Sequence, residues 1–243
     1  MKRIFLFLML LLCTELCNAQ FTDTTNYVVT FSPTGSLNTT NDSRAYLLNN
    51  NLKLGIKKKS ISLNFNNNWI YGKQNDQLTN NDYSSTLDFN LYKTFPHFFY
   101  WGLANYNTSR SLKINNQLLA GAGIAYSIYD RDEAYLNISN GILFDSSDLD
   151  LGNSIRDQYE TTRNSLRLSL KFVIRKVITV NSTSFLQNSL TDGDDYIIRS
   201  NAGLSLKLNR WISFTTAYNY NKISRTKREN TLLSYGLTFE RYF

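Results

Sequence analysis

The sequence ends in "LLSYGLTFERYF", where Tyr235, Leu237, Phe239 and Phe243 fall two or four residues apart and an aromatic stands last. Chain termini are ordinarily polar and loosely held, so this spacing predicts a last strand that is buried or recognised. The same two-residue period runs through the chain. In "SISLNFNNNWIYG", Ile61, Leu63, Phe65, Trp69 and Tyr71 share one face, and Ser60, Ser62, Asn64, Asn66 and Asn68 the other. "TTRNSLRLSLKF" sets Leu166, Leu168, Leu170 and Phe172 against Arg163, Ser165, Arg167, Ser169 and Lys171. "DYIIRSNAGLSLKL" sets Tyr196, Ile198, Ala202, Leu204, Leu206 and Leu208 against Arg199, Asn201, Gly203, Ser205 and Lys207. No segment of ten residues fits a helical period better, so the fold class is all-β.

Alternation of this kind suits a soluble sandwich with an apolar core, or a membrane barrel with an apolar outside. Three features favour the barrel. The first is the start, "MKRIFLFLMLLLCTELCNAQF". Lys2 and Arg3 precede an apolar stretch over 4–13, and small residues precede a cut between Ala19 and Gln20. That is a secretory signal peptide, too short to span as a helix. Residues 1–19 are therefore read as signal and 20–243 as a barrel domain. The second feature is the connections. Twelve strands (10 or 14 as alternatives) are placed near 26–35, 43–55, 60–72, 82–93, 98–107, 117–128, 134–144, 159–173, 177–187, 196–208, 211–221 and 231–243. Between them long polar connections such as "KQNDQLTNND" and "DSSDLDLGNSIRDQ" alternate with tight ones such as "IRK" and "NR". Long external loops and short periplasmic turns alternate in just this way. The third is the terminal aromatic run.

The expected architecture is a transmembrane antiparallel up-and-down β-barrel, with N- and C-termini periplasmic. Closure is what hydrocarbon demands, since only a sheet without an edge leaves no backbone group unpaired there. Trp69, Tyr71, Trp101 and Trp211, near strand ends, are expected in interfacial girdles. Tyr235, Leu237, Phe239 and Phe243 are read as the signal for barrel-assembly machinery.

Composition narrows the chemistry. Both cysteines, Cys13 and Cys17, lie in the signal, so the mature chain has no thiolate metal site and no disulfide. Losing Lys2, Arg3 and Glu15 takes the net charge from +7 to +6. The longest basic run is Lys57 to Lys59, which gives a nucleic-acid partner no support. The chain's 30 Asn match its 16 Tyr and 15 Phe as the polar counterpart of the apolar rows. The one histidine, His97, follows Pro96 at a short turn with no Ser or Asp at suggestive spacing, so it is expected to cap rather than to catalyse. Acidic stretches such as "DSSDLDLGNSIRD" and "TDGDDY" lack the order and distal Glu of a calcium loop. No catalytic residue, metal ligand or cofactor is expected.

Function is then sought in the lumen. Arg163, Arg167, Lys171, Arg199 and Lys207 point inward on this register, against Asp88 and Glu240. If the bore is open, the cations favour anions; if not, they pair with one another and with Asn, Ser and Tyr. Twelve strands allow either outcome.

Nearly end to end, the mature chain resembles the salt-induced outer-membrane protein family, a DUF481-like family of outer-membrane β-barrels. The resemblance rests on "VVTFSPTGSLNTTNDSRAYLLNNNL", "LLAGAGIAYSIYD" and the closing "LLSYGLTFERYF". It implies a barrel in the cell outer membrane with an undetermined role. The expectation is a monomeric, non-enzymatic envelope protein, with lipid, lipopolysaccharide and, during biogenesis, the assembly machinery as partners. A small, weakly anion-preferring channel is one alternative and an outer-membrane hydrolase with an unrecognised site another. A third is a secreted β-sandwich adhesin, soluble without detergent.

Overall fold

A computed structural model describes residues 26–40, 43–58, 60–131, 133–152 and 155–243, without the side chains of 93 and 94. The expected signal peptide and its cleavage residues Ala19 and Gln20 lie outside the described residues. Those described form twelve strands: β1 (Tyr27–Thr39), β2 (Arg44–Lys58), β3 (Ile61–Gln74), β4 (Gln77–Phe95), β5 (Phe98–Ser109), β6 (Ile114–Arg131), β7 (Ala134–Gly152), β8 (Ile155–Ile174), β9 (Ile178–Ser189), β10 (Tyr196–Lys207), β11 (Ile212–Ile223) and β12 (Arg228–Tyr242). Each pairs antiparallel with its sequence neighbours, and β1 pairs with β12 to close the ring. The chain end takes part in closure. The Phe243 N–H donates to the Tyr27 carbonyl at 2.9 Å, and the Asn26 N–H donates to the Phe243 carbonyl at 2.9 Å.

The period-2 rows face as the alternation requires. On β12, Tyr235, Leu237 and Phe239 are exposed on the outer wall, as is Phe243 just past its end, while Ser234 and Thr238 are buried inside. On β8 the outward row runs Ile174, Phe172, Leu170, Leu168, Leu166, and then turns polar through Asn164, Thr162, Glu160, Gln158 and Arg156. That change marks the edge of an apolar band. The end of the barrel carrying the two termini is the terminus end, the opposite one the distal end.

Two expectations need correction. Several segments expected to be loops are strands. β4 begins at Gln77 rather than near 82, and β7 and β8 reach Gly152 and Ile155 where a long polar connection was expected. Asn75 and Asp76, both at positive φ (48° and 61°), make the β3–β4 connection a two-residue turn. The cause of the misreading is physical. A strand that has left the apolar band no longer needs an apolar face, so its composition becomes that of a loop while its backbone ladder continues.

The second correction is Trp101, which is no interfacial residue. It points into the bore and is 3% exposed. Its ring lies against the inner wall where β6 and β7 present Gly123 and Gly141. A Cβ at these positions would come within 2.7 and 2.5 Å of the indole Cζ2. The "GAGIA" patch and Gly141 thus form a flat seat for the indole. Phe99, Ala125, Leu143, Tyr92 and Leu103 complete this inner cluster.

Filling the seat is expected to cost stability. Gly141→Val should destabilise the barrel by about 1–3 kcal/mol through overpacking, read as a lower urea midpoint of the heat-modifiable form. Trp101→Ala in the same chain should restore only part of the loss, because the new Cβ also meets the Ala122 carbonyl at 2.4 Å.

Candidate functional site: the bore

At the distal end several side chains pack into the bore. Arg163 on β8 is 0% exposed. Its Nε donates to Asp145 on β7 at 2.6 Å, and its Nη2 donates to the Asp195 carboxylate at 2.9 and 3.0 Å. The Tyr159 hydroxyl and the Asp195 carbonyl accept its remaining donors. Asp195 belongs to the β9–β10 connection, and a second arginine holds it there. Arg225, from the β11–β12 connection, donates to Asp195 at 2.7 Å and to Asp157 on β8 at 2.9 Å, and lies over the Tyr159 ring at 3.9 Å. Five charges from β7, β8 and two connections therefore interlock across this mouth. Beside them Leu112, Ile114, Leu149, Ile197 and Ile223 form a buried apolar cluster against Tyr159. A buried ion network gains little net stability over apolar packing, because desolvation offsets attraction. Removing one partner, however, strands a charge.

Two more arginines cross the bore toward its middle. Arg199 on β10 donates to Asn105 on β5 at 3.0 Å and to Gln117 on β6 at 2.5 Å. Arg167 on β8 donates to Asp88 on β4 at 2.8 Å and to Ser139 on β7 at 3.1 Å. Its guanidinium stacks over Trp101 at 5.0 Å, with Phe185 at 5.9 Å. In the ring, β8 and β4 stand four places apart, so this contact ties two walls that are not neighbours.

The seven charges picked out in the sequence all line the bore, in two groups. Arg163, Arg167, Arg199 and Asp88 are tied into the cross-bore contacts. Lys171, Lys207 and Glu240 stand toward the terminus end, where Thr30 donates to Glu240 at 3.3 Å. Lys53, which alternation had placed on the inner row without singling it out, stands across Thr30 from Glu240 in the register. Sequence reasoning missed Asp145, Asp157, Tyr159, Asp195 and Arg225. Their contacts span 4 to 68 positions, and no local pattern carries such pairing. His97 sits in the β4–β5 turn at φ 64°, its ring 6.0 Å from that of Tyr126.

The acidic stretch of β7 is also taken up by cations. Beyond the apolar band, Arg156 donates to Asp148, with Asn115 and Gln158 as further donors. Those donors, the Arg156 guanidinium foremost, hold the Asp148 carboxyl well below the usual carboxylate range, at about 2. Lys113 and the Gly152 N–H pull Asp150 down in the same direction.

The family profile described as "Protein of unknown function, DUF481" matches residues 24–240. The chain belongs to the DUF481 family. No curated protein matches its sequence. Among solved structures, the NanC porin shares 10% identity with this DUF481 chain at a TM-score of 0.53, covering 88% of this chain and 99% of the porin. An outer membrane channel from Pseudomonas putida F1 shares 9% identity at a TM-score of 0.51, covering 95% and 100%. The translocator domain of the autotransporter NalP from Neisseria meningitidis shares 11% at 0.48, covering 98% and 94%. At such identities the likeness is one of fold, and the DUF481 chain has the closed-barrel fold of outer-membrane porins and channels.

Arg163→Ala should destabilise the DUF481 barrel by about 3–5 kcal/mol, since Asp145 loses its buried cation and Asp195 keeps Arg225 alone. Arg163→Lys should not rescue it, because one ammonium cannot reproduce the fork that meets both carboxylates. Urea titration of heat-modifiability measures both. Acid acts on the distal hairpin with a defined sign. The folded pKa values of Asp148 and Asp150 lie below the unfolded value of about 3.9. Their stabilisation is therefore complete above about pH 4 and is lost as pH falls toward 2. NMR titration of the Asp148 carboxyl should show a midpoint near 2, and Arg156→Ala should move it back toward the unfolded value.

Proposed function

We propose that this chain is a monomeric, non-enzymatic integral protein of a bacterial outer membrane, with both termini on the periplasmic side and the bore shut at the cell-facing mouth. The observation that carries the closed reading is the fully buried Arg163 held between Asp145 and Asp195, backed by the Leu112–Ile114–Leu149–Ile197–Ile223 cluster. Water, on this reading, does not pass a mouth in which five charges already satisfy one another and a buried apolar cluster lies beside them. On this reading the protein acts at its two ends rather than as a free diffusion path.

Membrane placement is supported by the exposed apolar rows around the outer wall, which suit lipid and suit no aqueous surface. The orientation is supported by the strands, β7 and β8 above all, that run on past the apolar band at the distal end. The outward row of Tyr235, Leu237, Phe239 and Phe243 supports recognition of β12 by the assembly machinery. A non-enzymatic role is supported by His97, which lies against Tyr126 at a tight turn and far from the distal mouth. The alternative of a small anion-preferring channel draws on one observation, the inward Lys171 and Lys207 together with the porin-like fold.

Planar-bilayer recording separates the two readings. The purified barrel is expected to show no conductance steps. Replacing Arg225 and Asp195 together with Ala should remove the bridge between the two distal connections and produce steps. Steps from the unaltered protein would establish the channel instead.

A further inference from the structure

We infer that the terminus-end half of the bore is a blind vestibule that binds a small multivalent anion of the carboxylate or phosphate class. The blind end rests on the closed mouth described above; the site itself rests on separate residues. Lys53 on β2, Lys171 on β8 and Lys207 on β10 all belong to inward rows in the part of the bore nearer the termini. In the ring of twelve, β2 and β8 stand six places apart, so two of these lysines face each other across the bore. Water reaches this half: Lys53, Asn64, Asn181 and Asn201 are inward-facing yet exposed, whereas the distal half buries its polar groups.

The charge balance of this half is uneven. Lys53, Lys57, Arg167, Lys171 and Lys207 stand against Asp88, Asp130 and Glu240, Asp130 lying in the inner row of Lys171 with Tyr135 between them in the register. Arg167 is already matched by Asp88, and Glu240 lies beside Lys53 across Thr30. Among the described residues, Lys171 and Lys207 have no carboxylate within ion-pair distance. Like charges held in a narrow cleft repel one another, and the low-dielectric walls focus their field on the axis. An anion on that axis relieves the repulsion. Three flexible lysine arms act as point charges that can close on several oxygens, a different grip from the planar fork of arginine. A ligand carrying two or more negative charges fits that grip, and a neutral solute has nothing to hold it. Asn64, Asn181 and Asn201 supply neutral hydrogen-bond partners around it.

The test is calorimetric titration of the full mature barrel in detergent, with inorganic tripolyphosphate in one arm and citrate in the other. Saturable one-site binding is expected in at least one arm, and the preferred arm identifies phosphate or carboxylate as the source. Lys171→Met with Lys207→Met should weaken it by roughly tenfold or more, while Lys227→Met at the distal end should leave it unchanged. Heat-modifiability confirms that each variant is folded. No binding in either arm, or equal binding by all variants, overturns the site. Bilayer recordings on the same samples keep the two readings apart. Current together with lysine-dependent binding removes the closed mouth and leaves the site, whereas silence without binding removes the site and leaves the closed mouth.

Discussion

A backbone amide inside hydrocarbon has no water to turn to, and each one left unpaired costs several kcal/mol. In this chain the answer is the ladder between β1 and β12, completed by the last residue, whose amide and carbonyl both bond to the first strand. Once the ring is shut, the faces of every strand are assigned. Leu, Phe and Tyr go to the wall that meets lipid, and Asn, Ser, Thr and the charges go to an enclosed space too narrow to hydrate them all. The rest of the structure is the way these enclosed polar groups satisfy one another.

They do so unevenly. The sector around β4 to β10 carries the arginines that reach across, the Trp101 seat and both buried apolar clusters but for Ile223 of β11. The sector around β11, β12, β1 and β2 is lined with short side chains that bond mainly to immediate neighbours, such as Thr34 with Ser234 and Thr238 with Ser32. Large side chains thus crowd one side of the bore, while short ones line the other.

Strand number, antiparallel order and the facing of each row were legible in the sequence because each follows from a period of two, which is local. Lys171, Arg163 and Glu240 could be assigned to the bore from their neighbours alone. What they touch could not. The partner of Arg163 in the β9–β10 connection lies 32 positions away, and that of Arg167 lies 79 positions away. Trp101 was misplaced for a related reason: an aromatic near a strand end suits an interface, and only the opposed glycines of β6 and β7 make room for it inside. The strands beyond the apolar band escaped notice because a ladder in water needs no greasy row to announce it.

The one-sided bracing has a mechanical consequence. A tube tied across its bore by Arg167 and Arg199 resists flattening along those ties, while the arc from β11 through β12 to β2 is tied across near the distal mouth, where Asn230 donates to Ser111 and Arg225 to Asp157. Lateral pressure from the bilayer would therefore bend that arc toward the terminus end, away from those distal ties. The closure between the first and last strands lies in the compliant part of the wall, and the stiff part holds the aromatic and arginine cluster in shape.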